Sequence, residues 1–330
     1  MIIKKTAAVL RKHTIIPILF LFFLVASLLT NRFFTIGNFR NILTQCSING
    51  IIALGATYLA LNGYRDLSVG TVMGLSAALV IKLQPLGTWL GIGVAVIVSL
   101  IVGLINGFLV VKVGINTFIA TLATMLICRG SMYLYTDGRP LSGVDMSFAD
   151  FGAGSVLGIP NLFIVFMSLL LLSYFILRYT NHGRSTYASG GNAESASHAG
   201  INVKRTSMIN FVICSFCACL GGILMASRTY SFFPNMGWPD THFMVIVMVV
   251  LGGTKMIGGI GNVFYTLGGV LVLAIFQNVF NLLHINPFYN PLFTGLILIG
   301  TLYIDSVIKP GSAQRTQKLF WKKKSKPIAD

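Results

Sequence analysis

Asp66 is the acidic residue set deepest among apolar neighbours, in the run Leu61-Asn62-Gly63-Tyr64-Arg65-Asp66-Leu67-Ser68. A lone carboxylate in hydrocarbon costs about 2.5–3.5 kcal/mol even on insertion scales, so something must compensate it. Arg65 adjoins it in sequence but points elsewhere on a helix, which leaves Ser68, unwound backbone N–H groups or water as equal candidates. Two readings stay open: a polar lining of a solute path, or a structural ion pair or membrane-edge residue. Asn62, Asn106, Asn278 and Asn281 are uncharged polar side chains in apolar runs, each able to donate and accept hydrogen bonds. That inventory suits a neutral polyol better than an ion, with interhelical packing as the alternative.

Other chemistry has less to work with. A proton relay would draw on Asp66, with Arg129 as the next candidate, and no run clusters Asp, Glu or His. The only glutamate is Glu194, and no glycine loop ends in Lys-Ser or Lys-Thr, so the chain carries no nucleotide cradle. The stretch Gly252-Gly253-Thr254-Lys255-Met256-Ile257-Gly258-Gly259-Ile260-Gly261 lacks the strand and helix such a loop needs. Any ATP must bind another subunit. Cys46, Cys128, Cys214, Cys217 and Cys219 lie in or beside apolar segments and read as small packing residues. The last three lack the His or carboxylate partners of a metal site. No cofactor or metal is expected on this chain.

These residues must be positioned by membrane helices. A chain of 330 residues that is 55% hydrophobic and 10% charged exceeds what one soluble core can bury. Apolar runs recur near the ~20 residues needed to cross ~30 Å of hydrocarbon, without the alternation of a barrel. The expected fold is an all-α polytopic membrane protein with ten spans, at residues 15–29, 42–63, 69–83, 88–111, 117–136, 160–179, 207–227, 241–252, 263–283 and 290–308. The first follows a basic leader but no small-x-small cleavage site, so it reads as an uncleaved span. Two segments, 61–71 and 251–262, break apolar runs with glycines and charges, as helices unwound inside protein or along a wet path would. They fall in opposite halves, and an internal repeat is one reading of that symmetry.

Ten crossings return both termini to the cytoplasm. The basic residues then sort to one side: Lys4, Lys5, Arg11 and Lys12 before the first span, the tail from 309 to 330, and Arg178, Arg184, Lys204 and Arg205 around a central loop. This sidedness, rather than nucleic-acid binding, accounts for most of the net charge of +16. The tail is expected to be solvated and orientation-setting, with contact to anionic lipid or a partner as the alternative. Residues 1–308 form the membrane domain.

The central loop, about 180–206, is the longest polar run between apolar blocks. Gly190 and Gly191 are expected to turn, Asn192 to cap a short helix, Glu194 to sit in its positive first turn, and Gly200 to stop it. Ala193, Ala196 and Ala199 would leave a thin face for another protein. An ordinary cytoplasmic loop with a chance helix is the alternative.

Four segments together resemble the permease subunits of bacterial sugar ABC importers of the ribose, galactose and xylose type. They are Asp66-Leu67-Ser68-Val69-Gly70; Phe118-Ile119-Ala120-Thr121-Leu122 with Ile127-Cys128-Arg129-Gly130; Gly183-Arg184 through Gly200-Ile201; and Leu251-Gly252-Gly253-Thr254 with Gly258-Gly259-Ile260-Gly261. They span most of the chain in the family's order, and the third is fairly specific. The resemblance implies ten helices like the cobalamin importer's permease, in a bacterial inner membrane. It implies a dimer with a second copy or homologue, cytoplasmic ATPase subunits holding ATP and Mg, and a periplasmic or lipid-anchored sugar-binding protein. Residues 192–200 would be the coupling helix, with Asp66, Ser68, Asn106, Phe118 and Thr121 near the path. Gly63-Tyr64-Arg65, Ala123 and Lys255-Met256-Ile257 depart from the family's usual pattern, which bears on the solute more than on the coupling loop. Permeases for autoinducer, nucleoside or branched-chain amino acid are the alternatives within transport, and an ion-coupled secondary transporter the one outside it.

Overall fold

The computed structural model describes residues 15–30, 32–286 and 288–308. The basic leader and the tail from 309 to 330 lie outside the described residues. The chain divides into two units, residues 1–287 and 288–330. In the second, helix α13 (Tyr289–Ile308) matches the last predicted span.

In the first unit the helices are α1 (Ile15–Leu29), α2 (Ile36–Leu61), α3 (Val69–Leu83), α4 (Thr88–Gly107), α5 (Thr117–Thr136), α6 (Met146–Ala153), α7 (Asn161–Tyr179), α8 (Asn181–Gly191), α9 (Ala193–His198), α10 (Val203–Thr229), α11 (Thr241–Leu251) and α12 (Val263–Leu282). A wider π turn, Phe108–Val113, extends α4 to Gly114, whose left-handed backbone ends it. The structure is mostly helical, consistent with an all-α polytopic membrane protein: among the described residues, seven helices are long and apolar enough to cross a bilayer. The predicted spans at 15–29 and 241–252 are helices shorter than that measure. With 11 residues, α11 extends roughly 16 Å, about half the hydrocarbon thickness.

Helix α10 is the hub, packed against α2, α3 and α4. Small residues let these backbones meet, which is how helices associate where lipid removes the hydrophobic drive. A Cβ on Gly55 of α2 would stand 2.7 Å from Cys217 Cβ and 2.9 Å from Cys214 Cα. One on Gly222 of α10 would stand 2.1 Å from the Met73 carbonyl of α3. The buried, unbridged cysteines at 214, 217 and 219 serve here as small packing residues.

The two ends of the bundle are distinct. At one, strands β1 (Leu141–Ser142) and β4 (Ser231–Phe232) pair antiparallel, Leu141 opposite Phe232. Beside them β2 (Ser155–Val156) and β3 (Ile159–Pro160) form a hairpin. The Gln84 side-chain carbonyl accepts the Val144 N–H at 2.7 Å, and Asp145 caps α6 by accepting from Ser147 N at 3.0 Å. Hydrogen bonds from Ser147 and Thr88 hold the Asp145 carboxyl below its ordinary range. At the other end lie both broken segments together with α8 and α9.

Candidate functional site

Helix α2 closes at Asn62, and Gly63 follows with φ +84°, a left-handed conformation that turns the chain out of the helix. Non-helical backbone then leads to Ser68, where α3 begins. Asp66 holds that start. One carboxylate oxygen accepts the Ser68 backbone N–H at 2.7 Å and the Ser68 hydroxyl at 2.6 Å. The other accepts from the Asn106 amide at 3.3 Å, and the same amide reaches Ser68 Oγ at 3.1 Å. Thr124 donates to the Asn106 carbonyl oxygen at 2.7 Å. A directed chain of donors thus runs Thr124, Asn106, Ser68, Asp66, from α5 through α4 to the break.

All four residues are buried, and the donors to Asp66 are neutral. Their fixed dipoles favour the carboxylate and offset part of the cost of burying it. Arg65 reaches instead towards the Met256 carbonyl at 3.5 Å. On its other side Asp66 borders a narrow cleft shared with Ala60, Tyr64, Val249 and Met256. Nothing in the sequence alone singles out Thr124; that it lies three residues beyond Thr121 and so shares its helix face is a weak signal.

Asn62 joins a second network at the same end. Its amide donates to Ser207 Oγ at 2.8 Å, and its carbonyl oxygen accepts from Asn210 at 3.2 Å. Asn210 also bonds Thr186 of α8 at 3.2 Å and meets His182 at 2.9 Å. These bonds fasten α8 to α10 and to the end of α2.

The other predicted residues separate from these. Asn278 exchanges hydrogen bonds with Asn38, at 2.6 and 3.1 Å. Asn38 and Asn62 lie at opposite ends of α2, roughly 36 Å apart at 1.5 Å per residue, so Asn278 shares no site with Asp66. Thr121 is buried, its hydroxyl turned back to the Thr117 carbonyl at 2.8 Å, and Phe118 is exposed on the outside of α5. Arg129 lies over the Trp238 ring, 3.9 Å from its centroid, towards the strand-bearing end.

The central polar run forms two helices rather than one. Gly190 and Gly191, expected to turn, are the last residues of α8, and the chain bends only at Asn192. The reason is contact. A Cβ on Gly190 would stand 1.8 Å from the Leu61 carbonyl and 2.8 Å from Gly259 N, so the helix continues because its glycine lets three backbones meet. The Gly259 N–H donates to Leu61 O at 2.8 Å, and a Cβ on Gly258 would stand 2.6 Å from Gly190 O. Tyr187 adds a bond from its hydroxyl to Gly261 O at 3.0 Å. Helix α8 therefore touches both broken segments at once.

Asn192 caps α9, accepting from Ser195 N at 2.8 Å; Glu194 occupies the first turn; Gly200, with φ +82°, follows the end. Ala193 and Ala199 are exposed while Ala196 is buried, so the three alanines do not form one outward face. What α9 presents is Ala193, Glu194, Ser195, Ser197 and His198.

Known transport permeases resemble the chain over most of its length. The chain is 35% identical over 291 residues to the ribose import permease protein of Haemophilus influenzae, covering 86% of this chain and 90% of that one. It is 37% identical over 297 residues to the ribose import permease protein of Bacillus subtilis, covering 87% and 90%. Identity to the L-arabinose transport system permease protein of Escherichia coli is 34% over 288 residues, covering 86% and 87%. No solved structure matches. With residues 38–302 matching its sequence pattern, the chain belongs to the family of permease components of branched-chain amino acid transport systems.

Proposed function

We propose that this chain is the membrane-spanning permease subunit of an ATP-binding-cassette importer that moves a monosaccharide across a bacterial inner membrane. The observation that carries the mechanism is the contact of α8 with both broken segments through Gly190. A partner that moves the α8–α9 pair acts directly on the two places where the spans are interrupted, without a long lever. Cytoplasmic ATPase subunits that hold ATP and Mg are that partner, docking on the exposed face of α9. A binding protein delivers the sugar at the opposite end, and closure of the ATPases switches the path from one side to the other.

Sidedness follows from charge. Among the described residues of the first unit, the end that holds α8 and α9 carries Arg65, Lys112, Arg178, Arg184, Lys204, Arg205 and Lys255 with only Asp66 and Glu194, whereas at the other Arg32, Arg40, Lys82, Arg129, Arg139 and Arg228 are interspersed with Asp137, Asp145, Asp150 and Asp240. The basic end is cytoplasmic by the positive-inside rule, and both termini with it. Asp66, Ser68 and Asn106, extended by Thr124, border the path near its cytoplasmic end, and Thr121 lies beside them on the same face of α5. Phe118 faces the second permease copy, while Asn62 and Asn278 hold helices together.

The sugar reading draws on the ribose and arabinose relatives and on the neutral hydroxyl and amide groups around Asp66. The test is ATP-driven uptake by the chain reconstituted with its ATPase and binding protein, with ribose, arabinose and leucine as competitors. Suppression by a pentose and not by leucine is expected. Suppression by leucine alone would reassign the solute, and uptake on an ion gradient without ATP would reassign the class.

A further inference from the structure

We propose that a cavity between the end of α7, helix α8 and the start of α12 binds the phosphodiester headgroup of an anionic phospholipid. The cavity is about 660 Å³, large enough for a headgroup rather than a lone ion. Its walls include Tyr174 and Arg178 of α7, Arg184 and Tyr187 of α8, and Asn262 and Val263 at the start of α12. Tyr174 and Arg178 are one turn apart and share a face, as Arg184 and Tyr187 do. The walls are closed by the Tyr187 hydroxyl on Gly261 O and by the Tyr174 ring, edge-on to Phe264 at 4.9 Å.

Its charge is uncompensated. No carboxylate lines the cavity, and among the described residues neither guanidinium meets one. Arg184 donates to the neutral Asn181 side chain. The N-terminus of α12 adds a further partial positive charge.

Depth and polarity select a lipid. Arg178 lies in the last turn of one span and Val263 in the first turn of another, which sets the cavity at headgroup level. Tyr179 is exposed there, as tyrosines are at membrane interfaces, and Phe175 and Phe264 continue an exposed apolar surface along the spans. A phosphate seated on the arginines would leave its acyl chains along that surface. Because Gly190 lies three residues beyond Tyr187 on the same helix, an occupied cavity would also brace α8 against the broken segments.

The full chain, purified in mild detergent and exchanged into discs of phosphatidylcholine with or without phosphatidylglycerol, would be examined by native mass spectrometry. Retention of phosphatidylglycerol over phosphatidylcholine is expected. Arg178→Gln and Arg184→Gln should each lower that retention by about fivefold, the effect of one basic residue at an anionic surface. Displacement of the lipid by soluble glycerol phosphate at comparable concentration would mean a free-phosphate site and overturn the proposal. Unchanged retention in the folded double variant would overturn it too, as would variants that keep the lipid but lose the ATPase subunit. If the double variant does not fold, photoactivatable phosphatidylglycerol on the unaltered chain gives the answer. Crosslinks within residues 174–187 and 261–264 support the site, and crosslinks only elsewhere sink it.

Discussion

The Gly259 N–H meets the Leu61 carbonyl at 2.8 Å beside Gly190, so the two interrupted segments are hydrogen-bonded to each other where the α8 backbone passes. Gly190→Val puts a side chain into the space that those backbones occupy. Overpacking of this kind costs about 1–3 kcal/mol and more where only backbone can yield. Uptake should fall to background, with ATP hydrolysis by the assembled importer no longer stimulated by loaded binding protein. Gly191 has nothing near the position its Cβ would take. Gly191→Ala should therefore transport normally; equal loss in both variants would show that the contact at Gly190 has no special part.

Helix α9 invites a second pair of substitutions. Glu194 is exposed in its first turn, where a negative charge is favoured. Glu194→Arg reverses that charge on the face proposed to meet the ATPase, and Gly200→Pro removes a backbone conformation with φ +82°. Both should insert in the membrane yet uncouple ATP hydrolysis from uptake. Normal transport in the two variants would remove the docking role from α9.

Around Asp66 the hydrogen bonds have a definite sense. Asp66→Asn keeps the shape, but whichever way the new amide turns, its NH2 group faces a donor: the Ser68 N–H and hydroxyl on one side or the Asn106 amide on the other. A buried donor left unsatisfied costs about 1–3 kcal/mol. The melting temperature in detergent should drop accordingly, with sugar uptake reduced more than ATPase assembly. Asn106→Leu should be worse, because it strips partners from Asp66, Ser68 and Thr124 together. An Asp66→Asn protein of unchanged stability would mean that the chain of donors has little weight.

Much of this fold was legible because membrane spans are written as length and apolarity. The run at 117–136 coincides with α5 to the residue. The capping of α9 was legible too, since Asn192, Glu194 and Gly200 act on neighbours in sequence. Asp66 was partly so: Ser68, two residues away, was among its candidate partners, whereas Asn106 and Thr124 come from other helices and carry no local signal. The glycines at 190 and 191 misled for the same reason. A glycine that turns a chain and one that admits a foreign backbone look alike until the neighbour is seen. Asn62 and Asn278 share a residue type, but Asn62 closes α2 while Asn278, on α12, pairs with Asn38 at the opposite end of α2, which composition cannot reveal.

His182 makes part of the α8 attachment sensitive to pH. Burial pushes its imidazole below the ordinary value of about 6.5, and the hydrogen bond to Asn210 offsets part of that. A folded value below the unfolded one means that the neutral ring favours the fold. Its contribution is complete above about pH 6.5 and is lost as pH falls through the lower folded value. On acidification the unaltered protein should lose more melting temperature than His182→Gln, which keeps a donor towards Asn210 but does not titrate. Parallel losses in the two proteins would assign the pH dependence to other groups.

The Asn38–Asn278 pair tests what a buried amide is doing in this bundle. Each side chain both donates to and accepts from the other, and Asn38 also donates to the Phe33 carbonyl at 2.9 Å. If the pair is packing between α2 and α12, removing either partner strands the other in an apolar surround, while removing both does not. Interhelical bonds in membranes are worth about 0.6 kcal/mol on average and up to about 1.7. Asn38→Leu and Asn278→Leu should therefore each destabilise, and the double variant should lose less than the sum by about 1 kcal/mol in a thermodynamic cycle. Sugar specificity should not move in any of the three. Additive losses, or a change in which sugar competes for uptake, would instead return Asn278 to the solute path.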